Sequence, residues 1–140
     1  MSGTEGFRQI VAARAGGTCE YCRLVEAATG VTFHIEHVKP VSLGGRTVMG
    51  NLALSCPGCN LAKGDRIEGT DNNDQIRLLF DPRDFESTYL GWHLHFILNS
   101  KTGLIAPRTP TAEATIRMLR MNSANRVFAR KLQIRAGLIG

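Results

Sequence analysis

The sequence contains no run of about 18 apolar residues, so it offers no helix able to span a bilayer. Its opening, MSGTEGF, lacks the apolar stretch of a secretory signal. A cytoplasmic, reducing setting is therefore expected, and structural disulfides are rare there. No repeat, low-complexity tract or linker composition interrupts the 140 residues, so a single domain over 1–140 is the expectation. Acid is scarce at one end only. From Thr111 onward there are six bases (Arg117, Arg120, Arg126, Arg130, Lys131, Arg135) against one acid, Glu113, whereas the first 110 residues carry eleven of each. A basic segment on a balanced body suggests a polyanionic partner, most simply nucleic acid. A solvated helix face would carry the same letters.

Local patterns divide the chain into a knuckle-rich first half and a second layer. Thr4 can cap a short helix whose Phe7, Ile10 and Val11 share a face and which Gly16-Gly17 ends. Glu26 to Gly30 reads as a loop, and Val31 to Ile35 is rich in strand formers. Gly44-Gly45 marks a turn, and Asn60 to Lys63 opens a helix. Further on, Ile76 to Phe80 is a short apolar run stopped by Asp81-Pro82. Trp92 to Leu98 (WHLHFIL) reads as a strand that turns at Asn99 to Gly103 and returns through Leu104 to Ala106. Thr109-Pro110 starts a helix with proline at its first position, with Ile116, Met118 and Leu119 toward a core. A last helix runs from about Ser123 to Ala136 and stops at Gly137.

With disulfides disfavoured, the four cysteines need another role. They form two pairs of equal spacing, Cys19-x-x-Cys22 and Cys56-x-x-Cys59. Each spacing lets two thiolates approach one ion from a tight turn, and four sulfurs in a tetrahedron suit structural zinc. Free buried thiols or a redox pair would use the same letters, but two matched pairs favour the ion. Four thiolates leave no open position for water, so such a zinc is structural. A whole motif must then loop out between the knuckles.

That motif holds His34, Glu36, His37 and Asn51, and Asn60 follows the last cysteine directly. An acid beside a histidine, joined by amide side chains, suits metal-assisted phosphodiester hydrolysis. The imidazole titrates near neutrality and can activate water, while carboxylate and carboxamide oxygens suit a hard cation. In a regular strand Glu36 and His37 point to opposite faces, so both serve one site only if the strand ends or twists there. Pro40, close behind, is consistent with that.

The order Glu36-His37, Gly44-Gly45, Asn51-Leu52, Cys56-Pro-Gly-Cys59, Asn60, Lys63-Gly64, with Cys19-x-x-Cys22 upstream, resembles the HNH endonucleases, the ββα-metal nucleases. The resemblance covers about residues 7 to 66. The later LLFDPR and TIRMLRMNSANRV are more weakly similar to the tail of a bacterial subgroup of stand-alone members. It implies an α+β fold: a ββα-metal core (about 7–70) with a structural zinc, then a small strand layer and C-terminal helices (about 74–140).

It also implies that His37 is the general base, that Asn51 holds the hairpin loop and orients the ring, and that Glu36 and Asn60 bind one Mg²⁺ or Mn²⁺. Glu36 is one methylene longer than the Asp most members carry. Asn60 makes the set His-Asn-Asn, which disfavours softer metals. Lys63 and Arg66, with Lys39 and Arg46 behind them, are candidates to grip phosphates. The implied substrate is double-stranded DNA, cut through a strained phosphodiester in or near the minor groove, and a double-strand cut by a single-site nuclease often needs two copies, a homodimer.

The main alternative is a zinc-containing nucleic-acid-binding module that does not cut. A ribonuclease or toxin-type effector of the same fold is a third reading. His34 could add a ligand or a phosphate contact, although a strand histidine packed beside a knuckle explains it as well. His93 and His95 would share a strand face, but no acid or cysteine accompanies them, so they read as structural. Trp92 and Phe96 read as core residues.

Overall fold

Every residue of Leu52-Ala53-Leu54-Ser55 is buried, and that run sets the centre of the fold. In this computed structural model, which describes residues 3–84 and 88–139, it forms β2 (Leu52–Ser55). β2 pairs antiparallel with β1 (His34–His37) in the register His34↔Ser55, Ile35↔Leu54, Glu36↔Ala53, His37↔Leu52. A short apolar run with no polar face belongs where both sides are covered. α1 (Arg8–Ala15) packs on β2 through the buried Val11. α2 (Pro57–Lys63) follows β2 directly and completes a ββα unit. Pro57 occupies the first helical turn, where no amide hydrogen is needed, and the Cys56 sulfur accepts from Cys59 N as a cap.

The second layer is built from two more hairpins and three helices. β3 (Glu68–Thr70) pairs with β4 (Ile76–Leu78), and β5 (Phe96–Leu98) pairs with β6 (Ile105–Pro107), both antiparallel. α3 is Thr88–His95, α4 is Pro110–Leu119 and α5 is Ala124–Arg135. α4 packs against β3, β4, β6 and α2, so it joins the two layers. Thr109 caps it by accepting from Ala112 N at 3.1 Å, as its Thr-Pro start implies. The result is an α+β fold. Among the described residues no helix is long and apolar enough to cross a membrane.

Two expectations need correction. Trp92 to His95 is helical, and only Phe96 to Leu98 is strand. Trp92 and Phe96 are four apart, a spacing that suits one helix face as well as a strand face. Leu94 decides between them: it is 56% exposed, which breaks the period of two. Trp92 is buried and donates from Nε1 to Tyr21 O at 2.7 Å. At the N-terminus Ile10 is 58% exposed while Val11 is buried, and Thr4 makes no side-chain cap, since a 3₁₀ turn at Glu5–Phe7 precedes α1. In the run from Ile76 to Phe80 only Leu79 and Phe80 are buried.

Candidate functional site

The two knuckles meet. The four cysteine sulfurs lie within 4.8 Å of one another, and all four residues are buried. Backbone amides point at the sulfurs, from Cys22 N and Cys56 N to Cys19 Sγ at 3.5 and 3.3 Å and from Cys59 N to Cys56 Sγ at 3.4 Å. A tetrahedral ZnS₄ centre with bonds of about 2.3 Å spaces its sulfurs about 3.8 Å apart, so this cluster is compatible with structural zinc.

The basic tail contributes to the cluster, which its charge alone did not reveal. Arg126 Nη1 donates to Cys59 Sγ at 3.0 Å. Arg130, one turn further along α5, is fully buried. It donates to Gly103 O at 2.8 Å, Asn122 Oδ1 at 3.2 Å and Cys22 O at 3.4 Å. Gln133 closes the same edge by exchanging two hydrogen bonds with the Val25 backbone. A dication inside four thiolates keeps a net negative charge, and a guanidinium against one sulfur offsets part of it. Two of the six C-terminal bases are therefore committed inside the protein.

Past the cluster, β1 and the C-terminal end of α2 border a cavity of about 350 Å³. Glu36, His37 and Asn60 line it, together with Pro40, Ser42 and Asp65. β1 ends at His37, so two residues of opposite strand parity reach one space. Behind them the loop from Val38 to Asn51 is tightly stapled. Asn51 Oδ1 accepts from Lys39 N at 2.8 Å, and its Nδ2 donates to Lys39 O at 3.0 Å and Arg46 O at 2.9 Å. Gly45 is obligatory here, because a Cβ would sit 1.7 Å from Lys39 O. The staple carries Thr47 to the imidazole, whose Nε2 lies 2.8 Å from Thr47 Oγ1. Asn51 therefore acts on the loop, and the atom that meets the His37 ring belongs to Thr47, a residue the sequence reading passed over.

Glu36 is buried at 6% exposure and has two partners. The Tyr21 hydroxyl donates to its Oε1, and Lys63 Nζ lies 3.8 Å from its Oε2. Burial pushes the Glu36 carboxyl up to about 7, against the pull of the Lys63 ammonium and the Tyr21 hydrogen bond. The Tyr21 hydroxyl is held well above its ordinary range by burial first and by the Glu36 charge second. Glu36 and Asn60 offer hard oxygen donors in one cavity, and Asp65 adds a third on its wall, so the residues present fit a hard divalent cation.

The remaining sequence candidates fall elsewhere. Lys63 is 1% exposed and donates to Val38 O at 2.9 Å, so its ammonium serves the interior and not an outside phosphate. Lys39 and Arg46 are exposed on the stapled loop. Arg66 is exposed and lines a groove on the other flank of α2. His34 is exposed and lies outside the cavity lining. His93 and His95 sit two apart on α3, which turns them to different sides. His95 Nδ1 meets Thr109 Oγ1 at 2.6 Å, and the His93 ring stands edge-on to Trp92. Both imidazoles are held below their ordinary range, chiefly by burial.

No curated protein and no solved structure matches the chain. The family model described as HNH endonuclease matches residues 19–66. That stretch contains both knuckles, β1, the stapled loop, β2 and α2, and the match suggests a nuclease or nucleic-acid-related role. Residues 19–66, a ββα unit closed on one side by four cysteines, are thus the part of the chain that is similar to the HNH endonuclease family.

Proposed function

We propose that this segment is catalytic, a metal-dependent endonuclease that hydrolyses phosphodiester bonds of double-stranded DNA. The observation that carries the reading is the single cavity lined by His37, Glu36 and Asn60. With the Nε2 proton donated to Thr47 Oγ1, His37 Nδ1 keeps its lone pair and accepts a proton from water in the cavity. The water oxygen then attacks the phosphorus, and the bond to the leaving oxygen breaks. Tyr21 and Lys63 fix the rotation of the Glu36 carboxylate, and α2 carries Asn60 toward the same space. A magnesium or manganese ion on Glu36 and Asn60 would polarise the phosphate and steady the leaving oxygen. Zinc is the proposed occupant of the four-cysteine cluster, where its role is to hold the knuckles together.

A plasmid-nicking assay tests the reading, run with magnesium, with manganese and with neither, beside His37→Ala. Metal-dependent relaxation that the variant loses is the expected result. No relaxation with either metal, while plasmid is still bound at low salt, would leave a non-catalytic zinc-containing nucleic-acid-binding module.

A further inference from the structure

On the flank of α2 away from the cavity, a groove of about 820 Å³ runs between that helix and the α4–α5 pair. Its walls carry four guanidinium groups, from Arg66, Arg117, Arg120 and Arg126, and no carboxylate. The four are not equivalent. Arg126 is committed to Cys59 Sγ, Ser123 Oγ and Leu119 O. Arg117 gives one N–H to Asp71 O at 2.9 Å and keeps the rest of its fork. Arg66 and Arg120 are exposed, and neither guanidinium has a hydrogen-bond or ion-pair partner among the described residues. Like charges gathered on one surface without acid are stabilised by an anion of several charges, spaced as the guanidiniums are.

We infer that this groove holds the sugar-phosphate backbone of duplex DNA next to the bond that is cut. The inference rests on the nuclease reading for its occupant, and the spacing supports it. Only α2 separates groove from cavity, with Gly58, Leu61 and Ala62 on the groove side and Asn60 on the cavity side. A helix is about 10 Å across, which is about three nucleotides at 3.4 Å per step along one strand. The arginines therefore reach phosphates about three nucleotides from the scissile one. Thr70, Ser123 and Asn125 add neutral polar groups to the lining. Contacts of this kind position a duplex and read no sequence.

The test is the salt dependence of binding to a fluorescein-labelled 20-base-pair duplex, with zinc-loaded protein and no added magnesium. The variant is R66Q/R120N. Asparagine is chosen at 120 because Arg120 has a φ of +52°, a conformation that asparagine tolerates. Circular dichroism and zinc content check that it folds. The variant should bind every duplex sequence more weakly, and its slope of log K against log salt should be shallower by about 2. R66K/R120K should restore most of that slope.

A wild-type slope in the folded R66Q/R120N protein would overturn the groove. Wild-type nicking of plasmid beside that result would leave the nuclease reading standing. Arginine-dependent binding by a wild-type protein that nicks nothing would keep the groove and overturn the nuclease.

Discussion

The two ends of α2 serve opposite kinds of chemistry. At its N-terminal end Cys56 and Cys59 join Cys19 and Cys22 in a buried set, wrapped by backbone amides and by Arg126. At its C-terminal end Asn60 faces a cavity with a half-buried histidine and room beside it. The closed set has every donor turned inward, which suits an ion that never meets a substrate. The open set lines a cavity, and its side chains are fixed from behind: Thr47 holds His37, and Tyr21 and Lys63 hold Glu36. The seven-residue α2 carries both, with Cys59 and Asn60 adjacent in it. Damage at the closed end should therefore reach the open end, while damage at the open end should stay local.

The largest effect is expected at the closed end. Cys59→Ser should release zinc and abolish the cooperative thermal transition, read by calorimetry and a chelator-based zinc assay. Metal binding of this kind supplies about 10 kcal/mol or more to small zinc folds. A variant that melted like wild type without metal would show that the cluster is not what ties the knuckles together.

His37→Ala should lower cleavage by about 10²–10⁴-fold, with melting and duplex affinity kept. If it also unfolded the protein, the contrast between the two ends would be gone. Thr47→Val keeps the shape of the side chain and removes the oxygen that meets the imidazole. One lost hydrogen bond of about 1 kcal/mol corresponds to a drop of roughly five- to tenfold in kcat. The pH profile of kcat should move with it, since the partner of Nε2 has changed, and an unmoved profile would remove Thr47 from its positioning role.

The smallest effect is on stability, at Glu36. Its carboxyl is raised to about 7 by burial, so the folded state favours the protonated form. That contribution is present in acid and is lost as pH rises through about 7, where ionisation inside the protein becomes costly. Glu36→Gln, which cannot ionise, should melt higher than wild type at pH 8 without magnesium and close to wild type at pH 5. Equal melting at both values would mean that Lys63 and Tyr21 already compensate the charge.

What could be read in advance follows from how far apart the interacting residues are. The cluster was legible because each knuckle is four residues long and its ligands name themselves. Glu36, His37, Asn51 and Asn60 were legible as letters in order, and the cavity brings three of them to one space. Thr47 was not, because nothing local separates a loop threonine that meets an imidazole from one that meets water. Tyr21 was hidden for a similar reason: only the fold carries it from a knuckle to a carboxylate on β1. Composition counts a guanidinium the same whether it is exposed like Arg120 or enclosed like Arg130, so the basic tail looked uniform. The segment from Trp92 to Leu98 misled because a spacing of four satisfies both periods, and only the exposure of Leu94 separates them.

The hold of α5 on the first knuckle has a consequence for the order of assembly. Arg130 reaches Cys22, and Gln133 reaches Val25, each across 108 positions of chain. During synthesis the knuckle leaves the ribosome long before the helix that braces it. For that interval the cysteines can gather metal without the α5 brace, because contacts at such separation form late. A chain stalled before Arg126 would carry all its cysteines and its histidine-lined cavity, yet lack the brace. Maturation of the site would then wait on α5, and under the nuclease reading proposed above so would cleavage.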